Sequence, residues 1–324
     1  WIDEFIGLLK YGLRIGQWHK MNNLLESHVI GDPTFHFASK GNIELNTILT
    51  LKAKDTELWK KMSANEDVPL RALGIYMLYR NLDRKYEQEL VKNYRTDASM
   101  NIRMHALKYL AELNTPVFQE ILKESIKDPY ELIRRISADW MGKVGKKEYL
   151  PLMVNQMITD ESERVSFNLR ETMIFIDPAA AYEECIKAVD QMPSHVKKQK
   201  VKDALRISIL RNKDRLEKDL IPAITSDTLK LKQRINEIRT FRNYNFQQAL
   251  PVLFELAKNQ KEAKEIRVAV LEALGWYALA YNREMIISLC DEIINEVQNP
   301  QEVRDEALKT KNRLKEGFSN LITS

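Results

Sequence analysis

The chain has 324 residues, with 50 Lys+Arg against 46 Asp+Glu and a formal net charge of +4, too small to imply a nucleic-acid partner. Its ten glycines and ten prolines are about 3 % each, against ordinary usage of roughly 7 % and 5 %, which excludes collagen-like, low-complexity and turn-rich all-β chains. With 44 % hydrophobic and 30 % charged residues, it fits neither wholesale disorder nor a membrane protein.

The first 41 residues hold five of the ten glycines: Gly7, Gly12, Gly16, Gly31 and Gly41. Phe5, Leu8, Leu9 and Leu13, then Met21, Leu24 and Leu25, are spaced for a helix face, with a break expected near Gly16. The run Val29-Ile30-Gly31-Asp32-Pro33-Thr34-Phe35-His36-Phe37 reads as a turn flanked by short extended stretches. The helix followed by Ile30-Gly31-Asp32-Pro33-Thr34-Phe35 resembles the closing segment of gingipain-type cysteine peptidase domains. The catalytic His and Cys of that family would lie upstream of Trp1, so nothing catalytic carries over. The chain opens on Trp1-Ile2-Asp3 without Met, as expected of a processed chain or a piece of a larger one. Residues 1–41 are therefore expected to be a cap or the remnant of a preceding domain, and 42–324 a separate helical domain.

From residue 43 onward one pattern recurs: an Asp or polar cap, a short gap, a β-branched residue or Leu, a base, then apolar residues at helical spacing. Its basic positions are Arg71, Arg103, Arg134, Arg164, Lys198, Lys232, Arg267 and Arg304, at a mean interval of about 33 residues, room for two helices and two turns. Pro69, Pro116, Pro129, Pro151, Pro222 and Pro251 fall where a first helical turn tolerates a missing N–H. No Gly lies between Gly145 and Gly275, as suits an uninterrupted series of helices.

These residues carry a second resemblance. A Leu-Pro helix alternating with an Asp-x-x-(x)-Val/Ile-Arg-x-x-Ala-Leu helix resembles short HEAT repeats over roughly residues 43–315. The period predicts an all-α solenoid of about eight helix pairs, preceded by a short N-terminal helix and extended segment. The resemblance implies a right-handed α-α superhelix whose second helices line the concave surface. On this reading Arg71, Arg103, Arg134, Arg164, Arg267 and Arg304 are structural, each pairing with an Asp or carbonyl of a neighbouring repeat.

Residues 196–242 hold 14 Lys+Arg against 6 Asp+Glu. Lys198, Lys202, Arg206, Lys232, Arg234 and Arg239 are the candidate binding surface there, either for an acidic partner or phosphate backbone or as an ordinary solvated face. Some proteins with similar repeats are DNA glycosylases using Trp, Asp and Arg. Asp139-Trp140 follows Arg134-Arg135 here, with a core position the plainer reading of Trp140. His19, His28, His36, His105 and His195 have no metal-ligand spacing, and no phosphate loop or nucleophile elbow occurs. Cys185 and Cys290 read as buried free thiols. The expected function is a non-catalytic scaffold binding a protein or peptide on its concave face, without cofactor, metal or membrane span. The alternative is nucleic-acid binding through 196–242. The compartment is extracytoplasmic if the peptidase resemblance holds and cytoplasmic otherwise.

Overall fold

The computed structural model describes residues 5–22, 28–39 and 44–316. Every regular element among the described residues is helical, so the chain is all-α. They divide into two compact units, one within residues 1–118 and one within 119–318. The boundary expected at 41–42 lies outside the described residues, as do Leu24 and Leu25.

In the first unit a 3-10 turn (Ile6–Tyr11) leads to α1 (Ile15–Asn22). The break falls at Gly12, whose φ of 75° suits glycine, rather than at Gly16. Gly16 sits in the first turn of α1, where N–H groups have no acceptor within the helix. Ile15 and Gly16 donate instead to the carbonyls of Phe35 (3.0 Å) and Pro33 (2.9 Å). The extended runs expected beside these residues form no strand. Asp32 accepts the Thr34 N–H (2.8 Å), and the turn so formed presents its carbonyls to α1.

Next come α2 (Leu45–Leu51), α3 (Thr56–Ser63), α4 (Val68–Leu82), α5 (Glu87–Thr96) and α6 (Met100–Leu113). Asp55 and Asp67 cap α3 and α4 by accepting from Leu58 and Leu70, and Pro69 occupies the first turn of α4. Helix α3 packs on α4, α5 on α6, and α4 on α6. Trp59, Leu73, Leu90 and Leu107 are fully buried, and Phe5 lies against Tyr76 and His105 at ring distances of 5.2 and 5.0 Å.

The unit boundary falls inside α7 (Pro116–Ser125). Beyond it are α8 (Glu131–Val144), α9 (Leu150–Thr159), α10 (Glu163–Ile176) and α11 (Pro178–Gln191). Helix α8 packs on α10, and α9 on both α10 and α11. From 198 to 224 the backbone is helical without a break: α12 (Lys198–Leu205), a π turn (Arg206–Leu210), α13 (Arg211–Asp214), a second π turn (Arg215–Leu220) and α14 (Ile221–Ile224). The chain ends in α15 (Leu231–Thr240), α16 (Leu250–Lys258), α17 (Lys264–Leu274), α18 (Arg283–Asn295) and α19 (Gln301–Glu316). Helix α16 packs on α17 and α18 on α19, while α17 packs on both α15 and α19. Pro151 and Pro251 open α9 and α16 as expected. Pro222 does not open a separate helix. It continues one, directly after a π turn whose wider bonding accommodates the missing N–H and the ring.

The middle of the second unit closes through aromatic rings. Phe175, at the end of α10, meets Tyr244 and Phe246 edge-on at 5.9 and 5.8 Å, and the Arg215 guanidinium lies 4.8 Å from the Tyr244 ring. The Tyr281 N–H donates to the carbonyl of Val144 (2.9 Å), joining segments far apart in sequence.

Helices α8 and α10 come into close contact at Gly142. A Cβ there would lie 2.7 Å from the Thr172 carbonyl oxygen, and the Thr172 hydroxyl donates to the Ala138 carbonyl (3.0 Å). Gly142→Ala is expected to destabilise the protein by roughly 1–3 kcal/mol through overpacking. A urea midpoint equal to wild type would contradict this helix contact.

Candidate functional site

The loops before α4, α6, α8 and α10 share one local device. Asn65, Asp97, Asp128 and Asp160 each accept, through a side-chain oxygen, the N–H two residues on (Asp67, Ser99, Tyr130 and Ser162, all 2.8 Å). Arginine six residues after the first three then donates back to the loop carbonyls. Arg71 reaches Asn65 and Glu66, Arg103 reaches Asp97 and Ala98, and Arg134 reaches Asp128 and Pro129. The rest of the guanidinium binds the acid of the following loop. Arg71 pairs with Asp97 at 3.0 and 3.2 Å, and Arg134 with Asp160 at 2.7 and 2.9 Å.

The interval of six explains Arg164. Counting six from Asp160 reaches Ser166, whose hydroxyl donates to the Met157 carbonyl, so the ladder of guanidinium contacts stops there. Arg164 stands two residues out of phase, exposed and with no described partner. A variant of the device returns in later loops. Arg234 donates to the Ile224 carbonyl (3.0 and 2.8 Å) and both Glu262 oxygens (3.1 and 2.7 Å), while Arg267 reaches the Ala257 carbonyl (2.9 Å) and Asn299 (2.8 Å). Arg304, half-exposed, bonds Gln301 in its own helix turn and has no other partner among the described residues.

Arg234, grouped by sequence with the binding surface, is thus 8 % exposed and locked inside the fold, whereas Lys232, counted both as a repeat position and with the binding surface, is exposed with no described partner. The inward position on α15 therefore lies two residues after the one the repeat pattern gave. The other candidates of the basic segment also separate. Lys198 donates to the Asp190 carbonyl (2.7 Å), and Lys202 pairs with the Asp190 carboxylate (2.6 Å). Lys213, Lys218 and Arg242 pair with Glu217, Asp214 and Glu272. Arg206 and Arg239 are exposed with no described partner, as are Lys197, Lys200 and Arg211.

A shallow depression on the helix 198–224 is lined by Asp203, Arg206, Ile207, Leu210, Arg211 and Asp214. Its centre is apolar, with Ile207 70 % exposed. The six positions follow the i, i+3, i+4, i+7, i+8, i+11 spacing of one helix face, and the π turn at 206–210 brings Arg206 and Arg211, five residues apart, closer together around the helix than α bonding would. Sequence periodicity placed Arg206 with Lys198 and Lys202, without Arg211.

Two further surfaces were invisible in the sequence. Loops after α8, α10, α15 and α17 line a cleft with Gly145, Lys147, Ile176, Gln247, Gln248 and Tyr281, where Lys147 pairs with the α11 cap Asp177 (2.6 Å). Elsewhere, two exposed rings carry a guanidinium: Arg170 over Phe167 (5.4 Å) and Arg313 over Trp276 (5.7 Å). Glu272 organises the second pair, accepting from the Trp276 indole N–H (3.1 Å) and from Arg242 (2.6 Å), while its carbonyl accepts from Arg313 (3.3 Å).

Trp140 is half-buried on α8. No group of three His, Cys, Asp or Glu side chains able to hold a metal ion occurs among the described residues, and His105 spends its Nδ1 on the Tyr109 hydroxyl (3.1 Å). Cys185 and Cys290 are buried and unbridged, and burial pushes both thiols up to about 12, far from the reactive range. Among the described residues no helix is long and apolar enough to cross a membrane.

No family model and no curated protein matches this chain. Among solved structures, it is similar to the X-ray structure of YibA from Escherichia coli, a structural-genomics target, at 14 % identity and a TM-score of 0.31, covering 86 % of this chain and 100 % of that one. That likeness is too slight to carry fold or function across, and it does not bear on the peptidase resemblance of residues 1–40.

Arg134→Ala is expected to cost about 3 kcal/mol, because it leaves the Asp160 carboxylate, 1 % exposed, without its counter-ion. Arg164→Ala should shift stability by less than about 0.5 kcal/mol. Equal losses in urea denaturation would refute the six-residue phase.

A pH dependence follows from the same pairs. Burial works to raise the carboxyls of Asp160, Asp177 and Glu262, but hydrogen bonds from Arg134, Lys147 and Arg234 outweigh it and hold all three below their ordinary values. Their stabilisation is complete above the unfolded carboxylate range, about 4, and is lost as pH falls through the lower folded values. The urea midpoint should therefore drop between about pH 4 and 2, and less steeply in Asp160→Asn than in wild type.

Proposed function

We propose that this chain is a non-catalytic scaffold of HEAT-like helix pairs coiled into a right-handed superhelix, whose second helices bind a protein or peptide partner. The observation that carries this reading is the pair of exposed rings backed by guanidinium groups, Phe167 with Arg170 and Trp276 with Arg313. Phe167 is 54 % and Trp276 40 % exposed. Aromatic and Arg side chains dominate binding energy at protein interfaces, and a ring fixed by its neighbours loses little entropy on binding. Glu272 holds the Trp276 indole in this way before any partner arrives. The exposed cations Lys200, Lys232 and Arg239, with no described partner, favour nucleic-acid binding as a second reading.

A photo-crosslinking side chain at position 167 or 276 of the full chain is expected to capture a discrete protein from extracts of the source cells, and one at exposed Asp219 is not. Trp276→Ala together with Phe167→Ala should abolish that capture. Equal capture from Asp219, or none from any position, removes the scaffold reading. Binding of single-stranded RNA or duplex DNA that falls steeply between low and high salt would support the second reading instead.

A further inference from the structure

We infer that the depression on the helix 198–224 docks an acidic amphipathic helix of a partner protein, two of whose carboxylates flank an apolar side chain. This rests on the scaffold reading and names the partner chemistry for a second surface, separate from Phe167 and Trp276.

Along the depression the charges run Asp203, Arg206, then Ile207 and Leu210, then Arg211 and Asp214. The order is minus, plus, apolar, plus, minus. Asp203 is held only by Gln199 (2.9 Å), and Asp214 is paired with Lys218 (3.0 Å). Neither Arg206 nor Arg211 has a described partner, so both guanidinium groups are open to new bonds. Ile207 offers an apolar surface left 70 % exposed by the described residues.

Three occupants can be compared on chemistry. A phosphate backbone asks for a continuous cationic track, but this face is apolar at its centre and acidic at both ends. A second copy meeting the face about a centred two-fold axis would set Arg206 against Arg211 and Asp203 against Asp214, like against like, which is repulsive. A helix presenting two carboxylates on either side of leucines fits the four central side chains, with charge-assisted hydrogen bonds to Arg206 and Arg211 and an apolar contact on Ile207 and Leu210, while Asp203 and Asp214 at the ends are engaged by Gln199 and Lys218. The excess of 14 basic over 6 acidic residues in 196–242 adds long-range attraction for an acidic segment.

The test is fluorescence anisotropy with the full chain and a labelled helical peptide whose face reads Glu-x-x-Leu-Leu-x-x-Glu. Saturable binding is expected. Arg206→Glu with Arg211→Glu, and separately Ile207→Ser, should each weaken it about tenfold or more. Lys232→Glu with Arg239→Glu should leave it close to wild type. All these side chains are exposed, so circular dichroism of each variant should match wild type. The proposal is overturned if the wild type shows no saturable binding, if the Arg206 and Arg211 substitutions have no effect, or if a peptide with Ser for both leucines binds equally well. It is also overturned if an RNA oligonucleotide binds through Arg206 and Arg211 regardless of Ile207. If it fails while crosslinking from 167 and 276 persists, only this surface is lost and the scaffold reading stands.

Discussion

Burying a guanidinium is costly unless its donors find acceptors, and Arg134 places four hydrogen bonds in this way. Its Nη1 bonds two carbonyls of its own loop, and its Nε and Nη2 bond both oxygens of Asp160 in the next loop. Asp160 in turn turns its own loop by accepting the Ser162 N–H. One side chain therefore fixes a loop conformation and the offset between consecutive helix pairs at once. The contact between α8 and α10, tight enough that position 142 admits no Cβ, depends on that offset being held.

The device is absent after Asp160, where Ser166 replaces the arginine, and it resumes in altered form at Arg234. Between them lies the helix 198–224 with its two π turns. Without a guanidinium tying one loop to the next, packing in this region falls to the rings of Phe175, Tyr244 and Phe246, with Arg215 laid on Tyr244. The same stretch concentrates the cations left without described partners. The least regular part of the second unit is thus also its most open chemistry, in keeping with the frequent placement of π turns at functional sites.

Much of the fold was legible in the residues. Proline in the first turns of α4, α9 and α16, the absence of glycine from 146 to 274 and an apolar spacing of three and four all specify helices, because they act within a few residues of backbone. Arg71, Arg103, Arg134 and Arg267 stand at positions of the repeat pattern and donate to backbone carbonyls up to ten residues back. The site was less legible. Arg234 takes the inward position that the repeat pattern gave to Lys232, and Arg164 is exposed, because a repeat pattern tolerant of two residues cannot say which base points inward. That choice is made by the loop carbonyls and the next loop's carboxylate, which sequence spacing does not position.

The sequence by itself determined an all-α chain of capped helices, a mild basic excess in 196–242 and two buried thiols, all consequences of local propensity and composition. Tertiary structure alone decided that the backbone makes a π turn at 206–210, that Arg313 lies over Trp276, and that Tyr281 meets Val144. The physical reason is common to all three. A change of helical bonding from i+4 to i+5, or a contact between residues scores apart in sequence, is selected by packing across elements, and no local preference encodes it.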